Sequence, residues 1–241
     1  MQEKISISID RELVRKVDKL VDGITIKKRS QSFETIIRKY FSATNIKKAI
    51  ILLGKQSKLN KSFCLNNLKK LEEISVRQVI IAAGGHNKDV SRLIENEKLN
   101  LNVSYLDEAE PKGTAGVIKL AQSILDSTFL VMAGDTLFDF DLKSIVEFHD
   151  NNDNLATIGL TTIALNKSTD NITVEGNRVV SFEYKGNVQT YLTNAGIYIF
   201  DPKILNYLPE KGSLEKEVLP KLSKENKLNA FLLDNKMVKI I

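Results

Sequence analysis

Apolar and polar positions alternate strictly along Lys4-Ile5-Ser6-Ile7-Ser8-Ile9-Asp10. That period of two predicts a strand with Ile5, Ile7 and Ile9 on one face and Lys4, Ser6 and Ser8 on the other. A lone strand of this length is unstable, and no second one follows nearby. The expected partner is therefore the same strand of a second chain, paired antiparallel in a homodimer. The period then changes. Leu13, Val17, Leu20 and Val21 fall on one helical stripe that Asp10 can cap and Gly23 can end. A second helix is predicted from Ser30, a good N-cap residue, with Phe33, Ile36, Ile37, Tyr40 and Phe41 as its apolar face.

After a polar joint at Ser42-Ala43-Thr44-Asn45 the pattern changes again. Residues 48–53, 78–83 and 128–133 are continuous apolar runs of strand length, each leading into glycine. Strands buried on both faces read this way. Amphipathic segments over 62–74, 87–95 and 113–124 separate them. The alternation predicts an α/β domain, Rossmann-like, with a mainly parallel sheet over residues 47–241, preceded by a small domain over 1–43. Function in such sheets collects at the C-terminal ends of the strands. Gly54-Lys55, Gly84-Gly85-His86-Asn87 and Gly134-Asp135 stand there.

Charge sharpens the division. Residues 1–48 hold 12 Lys and Arg against 6 Asp and Glu, so the small domain accounts for the whole chain's surplus of +5. Lys27, Lys28 and Arg29 sit just before the second helix, where free backbone N–H groups and three cations favour a phosphate. Cys64 is the only cysteine, which excludes an internal disulfide and a zinc site made from cysteines, and its apolar surroundings point to a buried thiol. No apolar run reaches the roughly 18 residues that span a bilayer. The expectation is a cytoplasmic protein without a membrane partner. His149, in the helical stretch 142–151, reads as a surface histidine. Asp139 and Asp141 read as helix-entry caps, and His86 reads as a turn residue more readily than as a ligand contact.

The segments Ile5–Asp10, Leu13, Leu20 and Arg29-Ser30-Gln31-Ser32-Phe33 resemble the ribbon–helix–helix family of DNA-binding domains. The resemblance implies that Lys4, Ser6 and Ser8 enter the major groove of double-stranded DNA as a β-ribbon. It also implies that Lys28, Arg29 and Ser30 hold a DNA phosphate at the second helix.

Four later segments, in order, resemble the sugar-phosphate nucleotidyltransferase family. They are Lys48-Ala49-Ile50-Ile51-Leu52, Glu110-Pro111-Lys112-Gly113-Thr114-Ala115-Gly116, Ala133-Gly134-Asp135 and Asn194-Ala195-Gly196-Ile197-Tyr198-Ile199-Phe200. Residues 178–185 and 213–220 add weaker matches. The resemblance implies a pocket for a nucleotide, sugar phosphate or nucleotide sugar at Gly54, Lys55, Gly113, Thr114, Asp135, Lys185 and Asn194, with Asp135 as the candidate metal ligand. Two departures stand out. The family's long Gly-rich loop with its Arg is reduced to residues 55–61. Lys239 falls at the second metal-ligand position, with Asp234 as the alternative ligand. A lysine there repels Mg²⁺, and a lost phosphate cradle removes charge stabilisation. Tyr184 also replaces the Glu that usually precedes the Lys.

The expectation is therefore a DNA-binding transcriptional regulator. Its transferase-like domain has lost catalysis, requires no cofactor though Mg²⁺ at Asp135 stays open, and senses a small ligand. The alternative is an active sugar-1-phosphate nucleotidyltransferase with an N-terminal oligomerisation or autoregulatory module.

Overall fold

A computed structural model describes residues 6–23, 26–41, 46–54, 61–108, 110–152, 154–162, 170–185, 191–233 and 238–239. The chain divides into two compact units, residues 1–43 and 44–241.

In the first unit, α1 (Arg11–Asp18) begins where the Asp10 carboxylate accepts from the Glu12 and Leu13 N–H groups. This is the expected cap. Gly23 takes φ +75°, and the Asp22 carboxylate accepts from the Ile26 N–H to close the turn beyond the helix. α2 (Arg29–Phe41) starts one residue before Ser30, so Ser30 lies inside the helix and is not its cap. Gln31 reaches back instead, and its side-chain oxygen accepts from the N–H groups of Lys27 and Lys28. Ser6–Asp10 form no strand, and Lys4 and Ile5 lie outside the described residues. A ladder needs a second strand, and the described residues of this unit offer none.

The second unit is built on a nine-stranded sheet. Its order is β3 (Asn102–Tyr105), β2 (Gln78–Ala82), β1 (Lys48–Leu52), β4 (Phe129–Ala133), β9 (Leu192–Phe200), β6 (Ala156–Thr162), β10 (Leu228–Leu232), β8 (Arg178–Glu183) and β7 (Asn171–Glu175). The strands from β3 to β4 are parallel, as expected. β9 runs antiparallel to both its neighbours, and β8 and β7 complete a mixed half. The sheet is therefore mixed. A centrally buried strand is apolar whichever way it runs, so the sequence pattern cannot report direction.

The pleat explains how one sheet serves two cores. Ala49, Ile51, Val79, Ile81, Leu130, Met132, Ile197 and Ile199 point into one, with α3 (Lys61–Glu73), α4 (Asn87–Ile94) and α6 (Leu142–Asn151). Ile50, Ile80, Phe129, Val131, Tyr198 and Phe200 point into the other, with α5 (Gly113–Leu120) and α7 (Leu219–Lys224). Each fully buried side chain of this kind contributes about 1.5–3 kcal/mol. A second, two-stranded sheet joins β5 (Thr136–Leu137) to β11 (Val238–Lys239). No helix among the described residues is long and apolar enough to cross a membrane.

Candidate functional site

A cavity of about 370 Å³ opens where β1 and β4 end and β9 begins. Gly54, Thr114, Asp135, Lys185 and Asn194, expected together from the sequence, all line it. Gly113 stands beside them at the start of α5. Lys55 lies outside the described residues, as do the other residues of the 55–60 loop.

Each residue is placed by a local cause. Gly113 has φ +74°, and a Cβ there would meet the Gly212 carbonyl oxygen at 2.4 Å. That close approach lets the Gly212 carbonyl accept from the Ala115 N–H (3.0 Å), which docks the first turn of α5 on the 210–213 segment. Asp135 sits in the turn between β4 and β5. Beyond it, α3 straps the extended chain down: Asn67 donates to the Thr136 carbonyl at 3.0 Å and Lys70 to the Phe140 carbonyl at 3.0 Å. On its other edge, β5 pairs with β11, with residue 239 opposite Thr136. The main chain of Lys239 thus runs beside the Asp135 turn. Asp234 lies outside the described residues.

Lys185 takes φ +49° in the turn after β8, where its N–H donates to the Asp170 carboxylate at 3.2 Å. Its ammonium and that of Lys216 lie 5.4 and 5.2 Å from the Tyr184 ring centroid. Tyr184 faces the cavity, whereas Glu183 turns away to accept from Asn171. Asn194 is held at both ends. Its carbonyl accepts from the Gly196 N–H at 2.9 Å, and its amide donates to the Tyr198 hydroxyl at 2.7 Å.

The sequence reading missed Asp170, Tyr198 and Glu215 as site residues. Asp170 is a buried carboxylate on the cavity wall. Glu215, beside Tyr198, receives hydrogen bonds from Thr114, Ser213 and Tyr198. Burial, reinforced by the Glu215 charge, pushes the Tyr198 hydroxyl well above its ordinary pKa, so it serves as a neutral donor. Only Tyr198, a hydroxyl inside the apolar run 195–200, carried a local signal; Asp170 and Glu215 lie in polar stretches.

Other expectations divide. Cys64 is buried, and desolvation pushes its thiol up to about 11. Asp141 caps α6 by accepting from the Lys143 N–H. His86 is half exposed beside Asp89 and does not line the cavity. His149 is corrected: it is buried, its Nδ1 is 2.8 Å from the Thr157 hydroxyl, and burial lowers it to about 4. A larger polar hollow of about 520 Å³, rich in asparagine, lies at the N-terminal ends of β6 and β10. It holds none of the expected groups.

The residues expected on DNA are placed differently from the expectation. Ser6, Ser8, Lys28 and Ser30 are exposed. Arg29 is engaged within the unit, its guanidinium gripping the Asp18 carboxylate at 2.6 and 2.7 Å. The pairing raises the arginine and lowers the aspartate.

Among the described residues, no cluster of three or more potential ligands forms a ready metal cage. Mg²⁺ does not need one, because it is commonly held by one or two carboxylates plus substrate phosphates and waters. Asp135, on the cavity wall, fits that donor set.

The pattern of the nucleotidyl transferase family matches residues 41–237. The mannose-1-phosphate guanylyltransferase catalytic subunit beta of Drosophila pseudoobscura pseudoobscura is 32% identical over 188 residues, covering 71% of this chain and 48% of that protein. The protein of the same name from Dictyostelium discoideum is 30% identical over 184 residues, covering 73% and 51%. The chain thus spans about half the length of these relatives. The structure of HddC from Yersinia pseudotuberculosis complexed with GMP-PN superposes with a TM-score of 0.66 at 25% identity, over 80% of this chain and 93% of that one. A putative glucose-1-phosphate thymidylyltransferase from Bacillus anthracis gives 0.69 over 80% and 89%, at 17% identity, a likeness of fold.

These matches correct two expectations. Relatives about 30% identical over most of the chain carry the names of enzymes, which overturns the expectation of a domain that has lost catalysis. The expectation rested on the shortened 55–61 segment and on Lys239 at the second metal position; the second ground demanded a complete protein cage for an ion that substrate phosphates help to hold. The DNA-binding transcriptional regulator falls with it, since the matches point to a sugar-phosphate nucleotidyltransferase and Asp18 occupies the expected phosphate-binding arginine.

Proposed function

The chain belongs to the nucleotidyl transferase family, and we propose that its second unit is an active sugar-1-phosphate nucleotidyltransferase. The names of the relatives favour a guanosine triphosphate and mannose 1-phosphate as the pair. In the reaction, a phosphate oxygen of the sugar 1-phosphate attacks the α-phosphorus of the nucleotide. The bond to the β-phosphate bridging oxygen breaks and pyrophosphate leaves.

The observation that carries the reading is convergence. Gly54, Thr114, Asp135, Lys185 and Asn194 come from five separate places in the chain and line one cavity. The α5 end, with Thr114, is the nucleotide side, and Asn194 with Lys185 forms the sugar-phosphate side. Lys185 supplies positive charge where phosphate oxygens gather. Asp170 and Asn194 offer an acceptor and a donor to sugar hydroxyls. Mg²⁺ held by Asp135 and the substrate phosphates would offset the charge that builds on the transferring group. Such transfer depends on positioning and charge more than on covalent chemistry by the protein. A short 55–60 segment carrying Lys55 and Lys58 is compatible with a slow enzyme. The test is pyrophosphate release from guanosine triphosphate and mannose 1-phosphate with Mg²⁺, then from a panel of other pairs. Sustained turnover with one pair is the expected result, and no turnover with any pair would refute the reading.

For the first unit, we propose an oligomerisation module with a ribbon–helix–helix arrangement in a homodimer, its N-terminal strand paired across two copies. In support, Ile7, Leu13, Leu20, Ile36 and Ile37 are five of the eight exposed large apolar side chains among the described residues. Val17 is the one buried apolar residue described in that unit. About forty residues seldom sustain a core alone, and a second copy offers the missing apolar surface.

A further inference from the structure

Glu215 stands in the π-helical turn Leu214–Val218, between the two halves of the cavity. Its carboxylate accepts from hydroxyls on three segments: Thr114 of α5 at 2.9 Å, Ser213 at 2.7 Å and Tyr198 of β9 at 3.2 Å. A carboxylate only accepts, so each of these hydroxyl protons is directed at Glu215 and each hydroxyl oxygen is left to accept. The Thr114 oxygen accepts from the Leu214 N–H at 2.8 Å, and the Tyr198 oxygen accepts from the Asn194 amide at 2.7 Å. The Asn194 carbonyl is already taken by the Gly196 N–H. One amide N–H of Asn194 therefore remains for a ligand, and the amide is held between the Gly196 N–H and the Tyr198 hydroxyl that Glu215 orients.

We propose that Glu215 is a positioning residue that couples the two halves of the site. The chain Thr114–Glu215–Tyr198–Asn194 fixes the α5 end and the Asn194 amide together, so that nucleotide on one side tightens sugar phosphate on the other. The inference rests on the reading of this cavity as a transferase site. A glutamine at 215 is nearly isosteric but brings an NH₂ donor. It must donate to at least one hydroxyl that now donates, which reverses the chain at that point. Hydrogen-bonded networks of this kind act as a unit.

The test is calorimetric titration of mannose 1-phosphate into the full chain, with and without guanosine triphosphate, in EDTA to prevent turnover. In the wild type the nucleotide should tighten sugar-phosphate binding by about 5-fold or more. Glu215→Gln and Tyr198→Phe should abolish that tightening, while Glu215→Asp, which keeps an acceptor-only group, should retain part of it. Thermal midpoints are measured for both variants, and the one nearer the wild type's decides the matter if the other folds poorly. A wild type without tightening, or Tyr198→Phe and Glu215→Gln that couple as well as the wild type, would overturn the proposal. A wild type that binds and couples but turns over no substrate pair would refute the transferase reading and leave the coupling standing.

Discussion

His149 shows how a single side chain can be misplaced by composition and placed by periodicity. Leu142, Ile145, Val146 and His149 are all buried on one side of α6, at intervals of three and four. The stripe is visible in the sequence, but histidine next to Asp150 reads as a surface residue. Its neutral ring has a consequence for stability. The folded value of about 4 lies below the ordinary 6.5, so the unfolded chain takes up the proton first. The stabilisation is fully present above about pH 6.5 and is lost as pH falls from there towards 4. A shift of this size corresponds to on the order of 3 kcal/mol. Urea unfolding at pH 7.5 and pH 5 should show a marked loss at the lower pH in the wild type. In His149→Leu, which has no proton to gain, that part of the pH dependence should vanish. At the candidate cavity, five of the seven residues expected from sequence line one wall or another, because their motifs sit at strand ends where the fold brings chains together. Asp170 and Glu215 were not legible, because what places them on the cavity wall is contact with residues 15 and about a hundred positions away.

Among the elements, those with local causes were legible and those with distant ones were not. The strands β1, β2 and β4, and the helices between them, follow from runs and periods within a dozen residues. The reversed direction of β9 follows only from its pairing with β4 and β6. The expected N-terminal strand rested on alternation alone, and alternation without a partner does not make a ladder. α5 illustrates an element fixed from outside, since its first turn is set on the Gly212 carbonyl. Gly113→Ala forces a side chain into a φ of +74° and against that carbonyl. Strain of this kind costs about 1–3 kcal/mol. The midpoint of thermal unfolding should fall by several degrees, at roughly 2–4 °C per kcal/mol for a domain of this size. The Michaelis constant for nucleotide should rise more than that for sugar phosphate, because the displaced turn carries Thr114. Steady-state kinetics in both substrates checks this.

For the whole molecule, the change in hydrophobic pattern near residue 45 and the change in charge mark the same division as the two compact units. The function of each unit was less legible. A small basic module drew the reading towards nucleic acid, yet net charge alone fixes no partner. If the module joins two copies, Leu13→Glu with Ile37→Glu should halve the mass seen by analytical ultracentrifugation. Turnover per chain should persist, because the lining of the candidate cavity lies within residues 44–241. An unchanged mass would place any self-association elsewhere.

The central claim is that the cavity around Asp135 transfers nucleotides. The most direct measurement is exchange of labelled pyrophosphate into guanosine triphosphate, with nucleotide sugar and Mg²⁺ present, in the wild type and in Asp135→Asn. The wild type should exchange label, and Asp135→Asn, which keeps the shape but loses the charge, should be slower by about 10²–10³-fold. No exchange in the wild type, or equal exchange in both proteins, would contradict the claim.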